Sequence, residues 1–473
     1  MLVQWLEQSA ARFPDAPALI AGRETETYAS LAFRAAGLAR VFAECGLDCG
    51  DTLAVTSRSP LTIAMASWAM AHLGALLPLN PDWPLARQLA MKRLAGVEEG
   101  GHALQGASFR MDEQSLREAW LGACDVGRPS GRHFGLKADP HAAALIVPSS
   151  GSSGEPRGVM LSYANLAAAV KAARSRIPLE PGDVWQICLP LYHIGGQAIL
   201  YRCAEAGACA LLEDRFEPQS VLANMHRHAV THLSLVPAML ARLLEAGAPP
   251  PGLKFVLIGG GGLSASLAQR AAQSGWPLCP SYGMSEMASQ VATLNPLPDD
   301  WQPGLVGVPL PGVEVAVVDG RLCLRGEMLM AGYLGCSPHE GWLKTGDLGR
   351  IDEQGRLWML GRADDMLVSG GINIHPQEVE NLLSICPGLR DAAVTALPDE
   401  VWGDRLTALV VGVDASQTQS WCDHHLPSHL RPRRVFAVSE LPRNAMGKLE
   451  RRLLREMVQD LAQEMAGTGA EVF

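Results

Sequence analysis

Residues 149–162 read Ser149-Ser150-Gly151-Ser152-Ser153-Gly154-Glu155-Pro156-Arg157-Gly158-Val159-Met160-Leu161-Ser162, and few folds can use such a stretch. It holds three glycines and five hydroxyls, with Arg157 close behind. Glycines let neighbouring backbone N–H groups turn to one side, and the hydroxyls and guanidinium add donors, so the stretch can cradle a phosphate. The apolar run 142–147 ahead of it reads as a buried strand and 163–170 as a helix, which puts the loop at a strand-to-helix junction. A Walker A loop needs Gly-x4-Gly-Lys-Ser/Thr, a spacing this stretch lacks. Flexible linkers share the composition, so the loop gains meaning only from the rest of the chain.

That remainder alternates strand and helix. Residues 2–13 and 28–45 carry apolar side chains at helical spacing, and 51–56 reads as a strand. The uncharged run 61–79 reads as a buried helix followed by a turn at Pro78; His72, Gly74 and Pro78 argue against a membrane span. Strands at 184–189, 231–236 and 255–258 alternate with helices at 199–206 and 238–244. The last strand enters Gly259-Gly260-Gly261-Gly262, where a flat ligand can lie against backbone. Short strands dominate 306–360, and a charged junction, Arg362-Ala363-Asp364-Asp365, precedes a mixture of helix and strand. The expected class is α/β: a large N-terminal domain of layered α/β subdomains plus a β-rich subdomain over 1–361, a junction at 362–365, and a small C-terminal α+β domain over 366–473.

A net charge of -10 disfavours nucleic acid and anionic membranes as partners. Eleven cysteines with no CxxC pair, behind a start that is not a signal peptide, read as reduced thiols in the cytoplasm. Cys422, His424, His425 and His429 invite a zinc reading, but no second ligand pair stands where it would close a tetrahedral site.

The order Ser-Ser-Gly-Ser-Ser-Gly-x-Pro-Arg-Gly resembles the nucleotide-binding loop of the adenylate-forming superfamily, which includes acyl-CoA synthetases, firefly-type luciferases and the adenylation domains of peptide synthetases. Arg157 stands where that family usually has Lys, a planar fork in place of a mobile point charge. The resemblance implies ATP at Ser149, Ser150, Gly151, Ser152, Ser153, Gly154 and Arg157, with Gly260 and Gly261 nearby. Tyr282-Gly283-Met284-Ser285-Glu286, read as a tight turn after a strand, is similar to the family's Tyr-Gly-x-Thr/Ser-Glu motif. That implies Tyr282 on adenine, Ser285 at the α-phosphate and Glu286 holding Mg2+. Residues 342–347, Trp-Leu-Lys-Thr-Gly-Asp, resemble the motif whose Asp accepts the ribose hydroxyls, so Asp347 takes that role with Arg362 as its cation.

Residues 361–380 resemble the family's interdomain hinge and the opening of its mobile lid, implying Asp364 as pivot and Gly370 and Gly371 beside the thiol tunnel. Pro442-Arg443-x3-Gly447-Lys448 resembles the catalytic-lysine motif, so Lys448 would meet charge built in the transition state. The implied reaction joins a carboxylate and MgATP into an acyl-adenylate and pyrophosphate, after which a thiol, expected to be that of CoA, displaces AMP.

Residues 189–202, with His193 and Arg202, and 231–237 and Ser289-Gln290 resemble the o-succinylbenzoate–CoA ligases of menaquinone biosynthesis. A dicarboxylate substrate is implied, with His193 and Ser289 lining the acyl pocket and Arg202 holding the carboxylate that does not react. From the residues alone, Arg202 could equally face outward toward Glu205, and His193 could be a packed side chain. Four alternatives stay open: a CoA ligase for another aryl or fatty acid, a carrier-protein loader, a luciferase-like oxygenase, and a non-catalytic acyl-nucleotide sensor. Lys448 speaks against the sensor; assembly as a homo-oligomer is open.

Overall fold

The computed structural model describes residues 1–97, 113–122, 139–150, 156–399, 401–443 and 447–467. Val184–Ile187, Cys209–Leu212, His232–Leu235 and Phe255–Ile258 are four-residue strands, almost wholly buried. Strands covered by helices on both faces have that character. They pair in parallel at the centre of an eight-stranded sheet whose order is Ser289–Thr293, Leu278–Met284, Phe255–Ile258, His232–Leu235, Val184–Ile187, Cys209–Leu212, Pro17–Ala21, Glu24–Thr27. Helices such as Ile194–Ala206 and Pro237–Ala246 connect successive strands, the second with Pro at its first turn, where no N–H is missed.

A second sheet runs Gly332–Tyr333, Pro156–Ser162, Ala143–Ser150, Ala75–Leu79, Thr52–Thr56. It corrects two expectations. Ala143–Ser150 pairs antiparallel with Pro156–Ser162, so the Ser/Gly stretch joins two strands of a hairpin and does not sit at a strand-to-helix junction. Val159 and Leu161 are buried, and the Pro156–Ser162 strand also pairs with Gly332–Tyr333, which gives it a place in the sheet. The helix Tyr163–Arg174 starts only after it, with a capping box between Ser162 and Asn165. Likewise the apolar run 61–79 is a helix, Pro60–Met70, followed by a buried strand, Ala75–Leu79, rather than a helix and a turn. A run apolar on every side carries no periodicity to separate the two. Gly74 marks the break: a Cβ there would stand 2.2 Å from the Asp51 carbonyl oxygen.

A third, antiparallel sheet holds Leu305–Gly307, Leu357–Arg362, Leu343–Ile351, Arg321–Gly326 and Val313–Val318. The fourth contains Ile372–Ile374, Leu367–Ser369, Gly403–Val411 and Asp391–Asp399, with Arg434–Ala437 paired to Gly403–Val411. Helices cover it: Val379 and Leu383 pack with Val394 and Leu406, while Leu454 and Val458 pack with Leu409 and Phe436. These are cores of their own, as an α+β unit at the C-terminal end requires. Among the described residues no helix is long and apolar enough to cross a membrane.

Candidate active site

The chain proceeds from Val184–Ile187 to Cys209–Leu212 on one side of the large sheet and from His232–Leu235 through Phe255–Ile258 to Leu278–Met284 on the other. Strand order reverses between Val184–Ile187 and His232–Leu235, and in open α/β sheets ligands lie beyond the strand ends at such a reversal. The segments leaving these ends carry His193, Val236 and Gly260, and Tyr282 lies in the last part of Leu278–Met284. Gly260 has φ +75°, a conformation that favours glycine. A Cβ on it would lie 3.6 Å from Lys448 Cε, and one on Gly447 would lie 2.8 Å from Val236 Cγ2. The C-terminal lysine therefore reaches the strand ends of the large sheet.

Asp347 lies within the strand Leu343–Ile351, opposite Arg362. One of its carboxylate oxygens accepts from the Tyr282 hydroxyl at 2.6 Å, and the other from Arg362 Nη1 at 3.1 Å. Each oxygen keeps a lone pair for a further donor, such as a ribose hydroxyl. Arg362 Nη2 also donates to Asp364 at 3.2 Å, so one guanidinium ties the ribose candidate to the hinge candidate. Tyr282 belongs to one continuous strand, Leu278–Met284, and not to the turn expected from sequence. Burial, and then the Asp347 charge, holds its phenol well above the ordinary range.

Ser285 and Glu286 form the helical turn that follows. Glu286 accepts from the Tyr333 hydroxyl at 2.9 Å, and the Arg157 guanidinium stands 5.3 Å from the centre of the Tyr333 ring. Burial, then Glu286, pushes the Tyr333 phenol up to about 12. Lys448 keeps exposed surface, yet desolvation lowers its pKa, against the raising effects of Asp347 and Glu286 and with a further lowering by Arg362.

Arg202 faces inward. It is 5% exposed and its Nη2 donates to Ser289 Oγ at 3.3 Å, while its Nε has no partner. Glu205, its alternative neighbour, instead binds Arg174 at 2.6 Å. Among the described residues no carboxylate pairs with Arg202, and burial lowers its pKa to about 10. Ala288 and Ser289 adopt φ +49° and +108°, so Ser289 is presented on sparsely populated backbone. His193 precedes the helix Ile194–Ala206; burial, then Lys448, brings its pKa down to about 4.

Gly151, Ser152, Ser153 and Gly154 lie outside the described residues, while Ser149 and Ser150 end a strand and Ser149 Oγ donates to the Arg157 carbonyl at 3.3 Å. Gly370 and Gly371 form a left-handed hairpin tip, and Gly370 packs on Trp402. Gly261 lies beside Pro237. The rings of His424 and His425 contact the Ser420 and Trp421 carbonyl oxygens, and no cluster of three metal-ligating side chains occurs among the described residues. Sequence reading missed Tyr333 and also Gln377, whose amide crowds Gly262. Neither stands in a pattern that signals its partner.

Residues 6–334 match the AMP-binding enzyme family, and residues 378–448 match the AMP-binding enzyme C-terminal domain. The chain belongs to the AMP-binding enzyme family. A 2-succinylbenzoate–CoA ligase of Bacillus subtilis (strain 168) is 31% identical over 96% of this chain and 97% of its own length. Two structures of the Bacillus subtilis o-succinylbenzoate CoA synthetase share the fold. One, in complex with the acyl-adenylate intermediate OSB-AMP, has a TM-score of 0.81 at 29% identity over 95% of this chain and 97% of that one. The other, with ATP and a magnesium ion, has a TM-score of 0.80 at 30% identity over 95% and 98%.

Three histidines of this AMP-binding enzyme, His72, His193 and His232, have pKa values lowered chiefly by burial from 6.5 to about 4, and at two of them, His72 and His193, no carboxylate opposes the shift. Above pH 6.5 both are neutral, folded or unfolded. Between that pH and about 4, the unfolded chain binds protons that the folded chain refuses, so acid favours unfolding. Denaturant midpoints should fall as pH drops through this window, and His72→Gln with His193→Gln should make the dependence shallower, with His232 keeping the remainder. An unchanged slope in the double variant contradicts the assignment.

Proposed function

We propose that this chain is a 2-succinylbenzoate–CoA ligase acting in menaquinone biosynthesis. A carboxylate oxygen of the substrate attacks the α-phosphorus of ATP, the bond to pyrophosphate breaks, and an acyl-adenylate forms. The CoA thiol then attacks the acyl carbon, its proton is lost, and AMP leaves. The observation that carries the substrate choice is Arg202, a buried guanidinium beside Ser289 with no carboxylate partner among the described residues. A dicarboxylate supplies that missing anion while its other carboxylate reacts.

The positions of the remaining residues support a role for each. Asp347 would accept the ribose hydroxyls while Arg362 and Tyr282 fix its orientation. Lys448 would stabilise the negative charge that develops at the α-phosphate, because it reaches Gly260 at the strand ends yet belongs to a separate segment. Ser285 would donate to that phosphate, and neutral His193 would line the acyl pocket. Glu286 fits a magnesium ion: a half-buried carboxylate steadied by Tyr333, next to where phosphate oxygens would complete the ligand set. When bound, magnesium offsets phosphate charge. Asp364 is the pivot about which residues 366–473 would turn between the two half-reactions, bringing Gly370 and Gly371 to the thiol. ATP, CoA and the free thiols among the described residues suit the cytoplasm.

Pyrophosphate release with MgATP, measured across o-succinylbenzoate, benzoate, salicylate and a medium-chain fatty acid with and without CoA, tests the reading. Only o-succinylbenzoate should turn over, giving its CoA thioester. Turnover of a monocarboxylate with o-succinylbenzoate inert discards the substrate, and an oxygen-dependent product points to the luciferase-like alternative. Lys448→Ala should slow adenylation about 10²–10³-fold while thioester formation from supplied acyl-adenylate persists; equal loss of both steps contradicts the lysine's role.

A further inference from the structure

Trp185 is fully buried on the strand Val184–Ile187, and the Arg202 guanidinium carbon lies over it, 5.7 Å from the ring centroid. The indole N–H donates to Ser234 Oγ at 3.1 Å on the adjacent strand His232–Leu235, which fixes the ring's orientation. His232 packs against the indole at 5.4 Å between centroids, Phe255 meets it near edge-on at 6.4 Å, and His232 and Phe255 stack at 5.8 Å. Three neighbouring parallel strands each supply one ring to this group.

A guanidinium removed from water needs a compensating negative field, and among the described residues no carboxylate supplies one to Arg202. The face of an indole does, and it is the best of the aromatic faces for this purpose. The contact also has a direction. With the indole on one side and Ser289 at Nη2, the guanidinium plane is set before any ligand arrives.

We propose that Trp185 is a positioning residue for substrate specificity, holding the Arg202 guanidinium so that its donors, together with Ser289, meet the second carboxylate of the acyl substrate. The proposal rests on the dicarboxylate reading above. Trp185 acts through Arg202 and leaves the reacting carboxyl untouched, so its removal should weaken recognition of one carboxylate and spare the chemistry at the other.

The test compares kcat/KM for pyrophosphate release with o-succinylbenzoate and with 4-oxo-4-phenylbutanoate, which keeps the reacting chain and lacks the ring carboxylate. The intact enzyme, Trp185→Leu and Trp185→Phe are measured, the last also in an Arg202→Ala background. The wild type should prefer the dicarboxylate. Trp185→Leu should cut that preference about thirtyfold, through KM for the dicarboxylate, with the monocarboxylate changed less than about twofold. Trp185→Phe, with a weaker π face, should cut it about threefold and serves if the leucine variant does not fold. In the Arg202→Ala background it should change the preference no further. A parallel loss for both substrates marks a merely structural role and overturns the proposal, as does an unchanged preference in both variants. Equal use of the two substrates by the wild type defeats the dicarboxylate reading itself, and the Trp185 role with it.

Discussion

A guanidinium held away from water is unstable unless an anion or an equivalent field meets it, and Arg202 is such a group. Its surroundings are arranged around that demand. The helix Ile194–Ala206 turns it inward, Ser289 stands within its reach, and Trp185 lies beneath it on the central strand. Even the unusual backbone at Ala288 and Ser289 falls at this point, where the antiparallel edge strand leaves the turn that carries Ser285 and Glu286. The pocket has a shape and a charge before a ligand enters, which is the condition for selective binding at low reorganisation cost.

Asp347, Arg362 and Asp364 follow a different logic, in which each charge meets a counter-charge. Asp347 joins the strand Leu278–Met284 through Tyr282 and the strand Leu357–Arg362 through Arg362, while Arg362 continues to Asp364. Any displacement of the junction at 362–365 is thereby felt at Asp347. Farther along the chain, Asp365 and Glu380 both pair with Arg451, at the start of the helix Arg451–Gly467 that follows the Lys448 turn. Two arginines, Arg362 and Arg451, thus tie the junction to Asp347 on one side and to the helix that follows Lys448 on the other.

The order of the motifs was legible because each packs its chemistry into a few adjacent residues. Tyr282 bonds Asp347, and Asp347 and Glu286 act electrostatically on Lys448, although up to 166 positions separate these residues. Strand and helix types were legible where periodicity existed, as in Leu2–Arg12 and Tyr28–Glu44. They were not where it vanished, as in the uniformly apolar run split between Pro60–Met70 and Ala75–Leu79. The hairpin around the Ser/Gly stretch was missed for another reason: pairing of Pro156–Ser162 with Gly332–Tyr333 is a contact across the chain, invisible to local pattern. Tyr333 and Trp185 escaped on the same ground, since each matters only through a partner distant in sequence. The inward turn of Arg202 needed the structure as well, because its helix is buried over most of its surface and shows no single polar face.

Calorimetric binding of o-succinylbenzoate and of its ring carboxamide, a neutral analogue of similar shape, tests the central claim most directly. If Arg202 awaits the ring carboxylate, the amide should bind about a hundredfold more weakly, and Arg202→Gln should abolish the difference. Equal affinity of the acid and the amide for the unaltered enzyme would contradict the account.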